Sequence, residues 1–506
     1  MKNLYFPDFD YNQFVVEYWM PSQTNPEKVR HDLLEITDRL KEKYPQIQRI
    51  TASQGSAPAR YCLVRPMTNG GDCYGELLVD CEDFNTCSEI IPSLRAFLRA
   101  EYPDAYIRTR RYNFSISTSH TVEVQFKGPD PAVLRRLSAE AEQIMREAQS
   151  VDPYSVQNNW KERNKSLVAY YQQMDGRRTG INRSDVGNAL MAATDGLTVG
   201  ALHDKDKIVR INLQIRNADG SKIQDLNDVP VWTMMPNINL SDNDMKALLS
   251  GGMKASDVEN ELFKSSPLSN VTKDLDLTWE EGTVYRYDCM RAIEAECDPD
   301  YDNGSSPVKV QKEIQEKIES IPLPPGYSMR WMGEIKQQAE SNEALADYYP
   351  LTLIIVLTVL LLLFNDWRKV ILILICLPFV IVGVAPALIA TGLPFTFMAT
   401  IGMAGLMGMM IKNSIVLVDE INRLMTEEGL HPYHAIIQAT VARANPVIMA
   451  SATTIVGMLP LVSDPMYSSM AVSIMAGLTM GTIITLMLLP VFYAIFFKVT
   501  KPQTEE

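Results

Sequence analysis

The sequence predicts an α/β part outside a membrane joined to a membrane α-helical bundle: two ferredoxin-like βαβ sandwiches with an inserted subdomain, followed by five transmembrane helices. Two observations carry that expectation. Five long apolar runs close the chain, and ahead of them one pattern of strand, capped helix and strand recurs four times, with a long turn-rich gap before the fourth copy. Composition fits a mixed protein, with 46% hydrophobic and 21% charged residues among 506 and a net charge of -14. That acidic balance argues against a nucleic-acid partner.

The first copy has a strand-like stretch from Phe14 to Met20. Asn25-Pro26 then opens a helix with Val29, Leu33, Ile36 and Leu40 on one face, and a strand follows from Ile47 to Ala52. The second runs through Tyr74 to Val79, a helix from Ser88 to Glu101, and a strand from Tyr106 to Phe114. Together they form a βαββαβ unit. The third uses Val122 to Phe126, a helix opened by Asp130-Pro131, and Tyr154 to Gln157; the fourth uses Val284 to Ala295, a helix opened by Ser306-Pro307, and Tyr327 to Met332. The implied division is 1–118 for the first sandwich, 119–164 with 280–345 for the second, 165–279 for the insertion, 346–499 for the bundle and 500–506 for a cytoplasmic tail. The insertion alternates short strands such as Ile208 to Ile215 with turns.

Apolar runs cover Tyr348 to Phe364, Val370 to Ala390, Pro394 to Val418, Pro446 to Val462 and Met470 to Phe497. Each is near or above the roughly 17–25 residues of a spanning helix. Arg368 and Lys369 follow the first run, Arg423 and Arg443 lie in the third loop, and Lys498 and Lys501 follow the last. The loops around Gly392 and from Ser463 to Ser469 hold no Lys or Arg. Cytoplasmic loops collect basic residues, so residues 1–347 are expected outside the cytosol. The opening MKNLYFPDFD has no apolar signal segment. The chain is therefore expected to be the C-terminal part of a larger or split protein.

Lys412 is the strongly charged residue well inside an apolar run, GLMGMMIKNSIVLVDE. A lysine at mid-membrane costs about 2.5–3.5 kcal/mol on insertion scales, and such residues face polar interiors or snorkel to the headgroups. Asp419 shares its face but lies two turns away, so a counter-charge is expected from a segment outside this chain. Gly402, Gly405 and Gly408 line the same run and suit close helix packing. The 26 methionines read mostly as packing. The histidines are scattered and no cysteine pair has metal spacing, so no metal centre is expected. Disulfides are permitted among Cys62, Cys73, Cys81, Cys87, Cys289 and Cys297, with connectivity open. No nucleophile triad or phosphate loop is present, which argues against an enzyme.

The runs GLMGMMIKNSIVLVDEINRLMTEEG, AIIQATVARANPVIMASATTIVGMLPLV and LLPVFYAIFF, with LYFPDFDYNQFVVEYWMP and LPPGYSMRWMGE earlier, resemble the C-terminal half of resistance-nodulation-division (RND) efflux transporters of the AcrB-like hydrophobe/amphiphile type. The resemblance implies that the two sandwiches are porter subdomains, that the insertion is half of a funnel-like docking domain, and that the full pump is a homotrimer. It also implies exchange of protons for exported compounds, with the proton gradient as energy source and no cofactor. A periplasmic adaptor, an outer-membrane channel and the missing N-terminal half would be partners, in the inner membrane of a Gram-negative cell. Lys412 matches the family's relay lysine, with Asn413 beside it. Arg443 matches a relay arginine, or else anchors the cytosolic boundary. Where the family often carries a threonine this chain has Ala450, leaving Ser451, Thr453 and Thr454 to supply a hydroxyl. The family's substrate cleft maps to Ile50 to Tyr61, including Ile50, Gln54, Gly55 and Tyr61. That stretch has no phenylalanine, and equally suits a plain turn.

Two other expectations compete. Copper or silver efflux would require methionines such as Met20 and Met67 to converge in the cleft. A membrane-anchored binding or assembly remnant would carry out no transport.

Overall fold

The computed structural model describes residues 9–58, 68–112, 119–205, 207–232, 246–247, 249–251 and 265–500. The chain divides into two compact units, Met1–Glu162 with Gly282–Glu506, and Arg163–Glu281.

In the first unit the chain opens as β1 (Gln13–Trp19), α1 (Pro26–Lys43), β2 (Ile47–Ser56), β3 (Asn69–Cys81), α2 (Phe84–Glu101) and β4 (Tyr106–Arg110). The sheet order is β2-β3-β1-β4, with all neighbours antiparallel. Helix α1 starts where the Asn25 side chain accepts the Glu27 N–H and Pro26 supplies a preset φ. Its inward stripe of Val29, Leu33, Ile36 and Leu40 packs on Phe14, Val16 and Tyr18 of β1 and Leu77 and Val79 of β3. A side chain at Gly75 would come within 2.6 Å of Leu33, so glycine there lets the helix sit down on the sheet. Helix α2 begins four residues ahead of the expected Ser88, because Asp83 caps the Thr86 N–H.

A second sheet is built from β5 (Val122–Gly128), α3 (Pro131–Glu147) and β6 (Gln157–Asn158), with the strands Tyr285–Tyr287, Met290–Cys297 and Ser328–Met332 and the helix Pro307–Glu319. Its order is Tyr285–Tyr287, Met290–Cys297, β5, Ser328–Met332, and β6 pairs with Met290–Cys297. Two expected strands are corrected. Val284 to Ala295 is a hairpin rather than one strand, because Asp288 and Cys289 adopt φ of 50° and 64°, the backbone of a primed two-residue turn. Tyr154 to Gln157 begins as a 3-10 turn over Pro153–Ser155, which Asp152 caps, before β6.

The unit Arg163–Glu281 pairs Arg163–Tyr171 with Thr272–Glu281, and its core gathers Ile181, Val186, Ala189, Val229, Val231, Leu268 and Val271. The hairpin of Leu197–Asp204 with Lys207–Leu213 leaves Val199, Leu202, Ile208, Val209 and Ile211 exposed.

Among the described residues, five helices are long and apolar enough to cross a membrane: Gly333–Phe364, Trp367–Thr391, Phe397–Thr426, Pro432–Ser463 and Ser468–Phe496. The outer surface of the first carries exposed Leu351, Ile354 and Leu362, an apolar face suited to lipid. The second is interrupted between Ile375 and Val380, where Pro378 lacks an N–H to donate. The fourth starts at Pro432, whose preset φ and the His431 side chain accepting the Tyr433 N–H initiate the helix early. Arg443, expected in a loop, is therefore helical, and Pro446 lies within the helix.

Close packing in the bundle depends on particular glycines. A Cβ at Gly383 would lie 2.8 Å from the Ala476 carbonyl oxygen and 3.1 Å from the Gly477 Cα, and one at Gly402 would lie 2.8 Å from Met470. Gly405 and Gly408 have open space where a Cβ would go, so among the described residues Gly402 alone of the three glycines on the Lys412 run serves a close contact.

Candidate functional site

Lys412 sits mid-way along the third span on an exposed face that also carries Gly405, Gly408 and Asp419. Among the described residues it forms no ion pair; the ion pairs of this span belong to Glu420 and Arg423. Asn413, one residue on and about 100° around the helix, is buried instead, next to buried Ser414. The helix thus presents a cation on a surface of small residues, where another helix could approach closely.

At the end of the same span, Glu420 is buried between two arginines. Arg423 Nη2 donates to Oε1 at 2.8 Å, and Arg443 Nη2 donates to Oε2 at 2.5 Å. Arg443 therefore ties the third span to the fourth. Ser451 is buried and shares a 2.7 Å hydrogen bond with Thr482 of the fifth span. The Thr453 and Thr454 hydroxyls donate to the carbonyls of Met449 and Ala450 in their own helix. Among the described residues, Ser451 alone of the candidate hydroxyls makes a side-chain bond to another span. Its partner Thr482 was not singled out from sequence, since one threonine in an apolar helix carries no marker of its neighbour.

Outside the bundle, the helix-free faces of the two sheets share a buried polar seam. Strand alternation turns Glu17, Glu76, Arg108 and Arg110 away from the first core, and Glu123, Gln125, Glu294 and Glu296 away from the second. Arg108 grips Asp298 with two hydrogen bonds, Nε to Oδ2 at 2.6 Å and Nη2 to Oδ1 at 2.9 Å, and donates to the Ser119 carbonyl at 2.6 Å. Tyr106 bonds His120 at 2.9 Å, and His120 lies 2.9 Å from Glu296. Lys161, at φ 54°, places its ammonium over the Trp19 ring. Burial alone would raise Asp298, but Arg108 and His120 hold it well below the usual carboxylate range. Glu123 is pushed up to about 8 by burial and by Glu296, its cross-strand neighbour. Burial brings Lys161 down to about 8.

The expected cleft residues lie along β2. Ile50 packs on the first core, and Gln54 Nε2 donates to the Pro26 and Asp72 carbonyls. Gly55, at φ 87°, sits in a bulge of the β2–β3 pairing. Tyr61 lies outside the described residues, as do Cys62 and Met67. Met20 is buried in the first core. A cavity of about 410 Å³ lies toward the other end of β2, lined by Tyr11, Gln13, Gln48, Arg49, Asp80 and Tyr112. Among the described residues, Ile50, Gln54 and Gly55 do not line that cavity.

Among the described residues, five membrane-length helices with a cation that has no ion-pair partner on one face, continuous with two α/β sandwiches, define a polytopic membrane protein of transporter type. The chain belongs to the AcrB/AcrD/AcrF family, whose model matches residues 2–497. It is 23% identical over 470 residues to the cobalt-zinc-cadmium resistance protein CzcA of Cupriavidus metallidurans, covering 90% of this chain and 42% of that protein. It is 27% identical over 197 residues to the multidrug resistance protein MdtF of Escherichia coli K12, covering 38% of this chain and 19% of that one. A crystal structure of a heavy metal efflux pump shares the fold, with a TM-score of 0.72 at 17% identity over 98% of this chain and 49% of that one. The chain thus spans less than half the length of these relatives.

Proposed function

We propose that this chain forms the C-terminal half of a proton-driven RND efflux pump, in which Lys412 is a switchable counter-charge. The observation that carries the proposal is the exposed face of the third span, where Lys412 stands beside Gly405 and Gly408 without an ion-pair partner among the described residues. Carboxylates on a helix of the preceding half would pair with Lys412 when ionised and release it when protonated, biasing the bundle between two packings. The Glu420 cluster and the Ser451–Thr482 bond would couple the third, fourth and fifth spans to that shift. Arg368, Lys369, Arg423, Arg443 and Lys498 support a cytosolic position for one side of the bundle, and with it a periplasmic position for the sandwiches of an inner-membrane protein. The exposed apolar hairpin Leu197–Leu213 suits contact with a second copy in a trimer. A periplasmic adaptor and an outer-membrane channel complete the assembly.

For the cargo, the first reading is a metal cation: the seam holds Glu17, Glu123, Glu296 and His120, with Arg108 and Arg110 balancing part of that charge. CzcA and the solved heavy metal pump are named for metal cargo. Amphiphile export is the second reading, supported by the match to MdtF, named for multidrug resistance.

The test measures accumulation of divalent metals and of a dye panel in an efflux-deficient host carrying this chain together with its upstream coding region. Lower accumulation that Lys412→Ala abolishes supports the proposal, and the compound class affected decides the cargo. Unchanged accumulation of every compound despite full expression refutes export.

A further inference from the structure

The fold brings two thiols together where β3 turns into α2. Along β3 the residues Leu77, Val79 and Cys81 alternate onto the face that α1 and α2 cover, while Leu78 points to the opposite side. Along α2 the inward stripe is Cys87, Ile90, Ile91, Leu94 and Leu98, so Cys87 begins the stripe directly beside the strand's last residue. Only Glu82 and Asp83 separate the end of the strand from the start of the helix. Both cysteines belong to one core cluster, at 0% and 2% exposure. Both are free thiols in this structure, and each acts on the other's ionisation.

We propose that Cys81 and Cys87 are joined by a disulfide in the mature protein. The proposal rests on the periplasmic placement of the sandwiches, because a disulfide persists in an oxidising compartment and not in the cytosol.

The pair is asymmetric in a way that suits the chemistry. The neighbouring thiols shift one another, Cys87 downward and Cys81 upward, and Arg111 adds to the lowering at Cys87. Cys87 also lies in the first turn of α2, where the helix dipole favours an anion. Once the strand–helix corner has formed and while the two thiols can still be reached, the Cys87 thiolate attacks one sulfur of an oxidant disulfide, such as a periplasmic dithiol oxidase, and expels a thiolate. The Cys81 thiol then loses its proton and attacks the Cys87 sulfur of the mixed disulfide, expelling the second thiolate. Two protein thiols become one disulfide, and the oxidant's disulfide becomes two thiols.

The experiment uses the full chain in its own membranes. Intact cells are treated with a membrane-impermeant maleimide, which marks exposed Cys289 from outside only if the domain is exported. The cells are then denatured in acid, free thiols are blocked with N-ethylmaleimide, and the protein is reduced and labelled with an isotopically heavy maleimide before peptide mass spectrometry. The expected result is heavy label on Cys81 and Cys87, complete loss of that label on each partner in Cys81→Ser or Cys87→Ser, and external labelling of Cys289. Light label on both with Cys289 marked from outside overturns the disulfide while leaving the placement intact. Light label on both with Cys289 protected overturns the native disulfide together with the placement. In that case treating purified chain with oxidised glutathione separates the causes, since a bond formed there shows that the compartment was at fault rather than the geometry.

Discussion

Replacing Arg108 with alanine removes the clamp between the two sandwiches, and the size of the loss follows from what is left behind. Arg108 makes two hydrogen bonds to Asp298, one to the Ser119 carbonyl, and an ion pair to Glu17 at 3.6 Å, with all three side chains largely buried. Without it, Asp298 keeps Thr121 and Glu17 keeps Arg110, but both remain in the seam with less compensation. Removing one partner of such a buried pair costs about 3–5 kcal/mol. Each kcal/mol moves the midpoint of a domain of this size by about 2–4 °C, so the expected drop is about 6–20 °C. Trp19 lies beside the seam under Lys161, so its fluorescence during thermal unfolding of the detergent-solubilised chain reports the loss. Arg108→Ala combined with Asp298→Asn is expected to cost less than the two single changes together, because the second change neutralises the charge the first leaves buried. A midpoint shift below about 2 °C for Arg108→Ala, on the same scale, would refute the view that this pair holds the sandwiches together. The pH dependence has a definite sign. A carboxylate whose folded pKa is depressed stabilises above its unfolded value near 3.9 and loses that contribution as pH falls, so the Asp298 contribution should be constant from pH 5 to 8 and vanish only in acid.

Glu123 gives the opposite sign: its folded pKa of about 8 exceeds the unfolded value, so its contribution is complete below about pH 4.3 and declines as pH rises toward 8. Glu123→Gln should flatten the fall in melting temperature between pH 5 and 8, and an unchanged slope would count against a protonated Glu123. In the bundle, Gly383→Ala places a methyl against backbone atoms of Ala476 and Gly477 and is expected to cost about 1–3 kcal/mol, whereas Gly405→Ala meets nothing within 4 Å in this chain. Equal melting of the two variants in detergent would overturn that packing account. Glu420→Ala removes charge-assisted hydrogen bonds from Arg423 and Arg443, each worth about 1.5–3 kcal/mol. It should speed proteolysis at the link between the third and fourth spans, and an unchanged digestion rate would argue against the tie.

The sequence by itself determined the features written in local order. Hydropathy set five membrane-length helices, because each must satisfy its backbone within one contiguous segment. Asn25-Pro26, Asp130-Pro131 and Ser306-Pro307 marked helix starts, because caps act on N–H groups two or three residues away. Lys412 was visible as a charge interrupting an apolar run. Tertiary structure decided whatever depends on distant partners. The alternation of Glu123 and Gln125 with Val122, Val124 and Phe126 shows a polar strand face, but only folding buries that face and brings Arg108 to Asp298, 190 residues away. Likewise, no local signal joins Ser451 to Thr482 or Arg443 to Glu420, since those bonds depend on how the helices cross. The choice of Cys81 and Cys87 among the cysteines also required the fold: strand and helix periodicities name the inward residues, but only their packing in one core makes the two thiols neighbours.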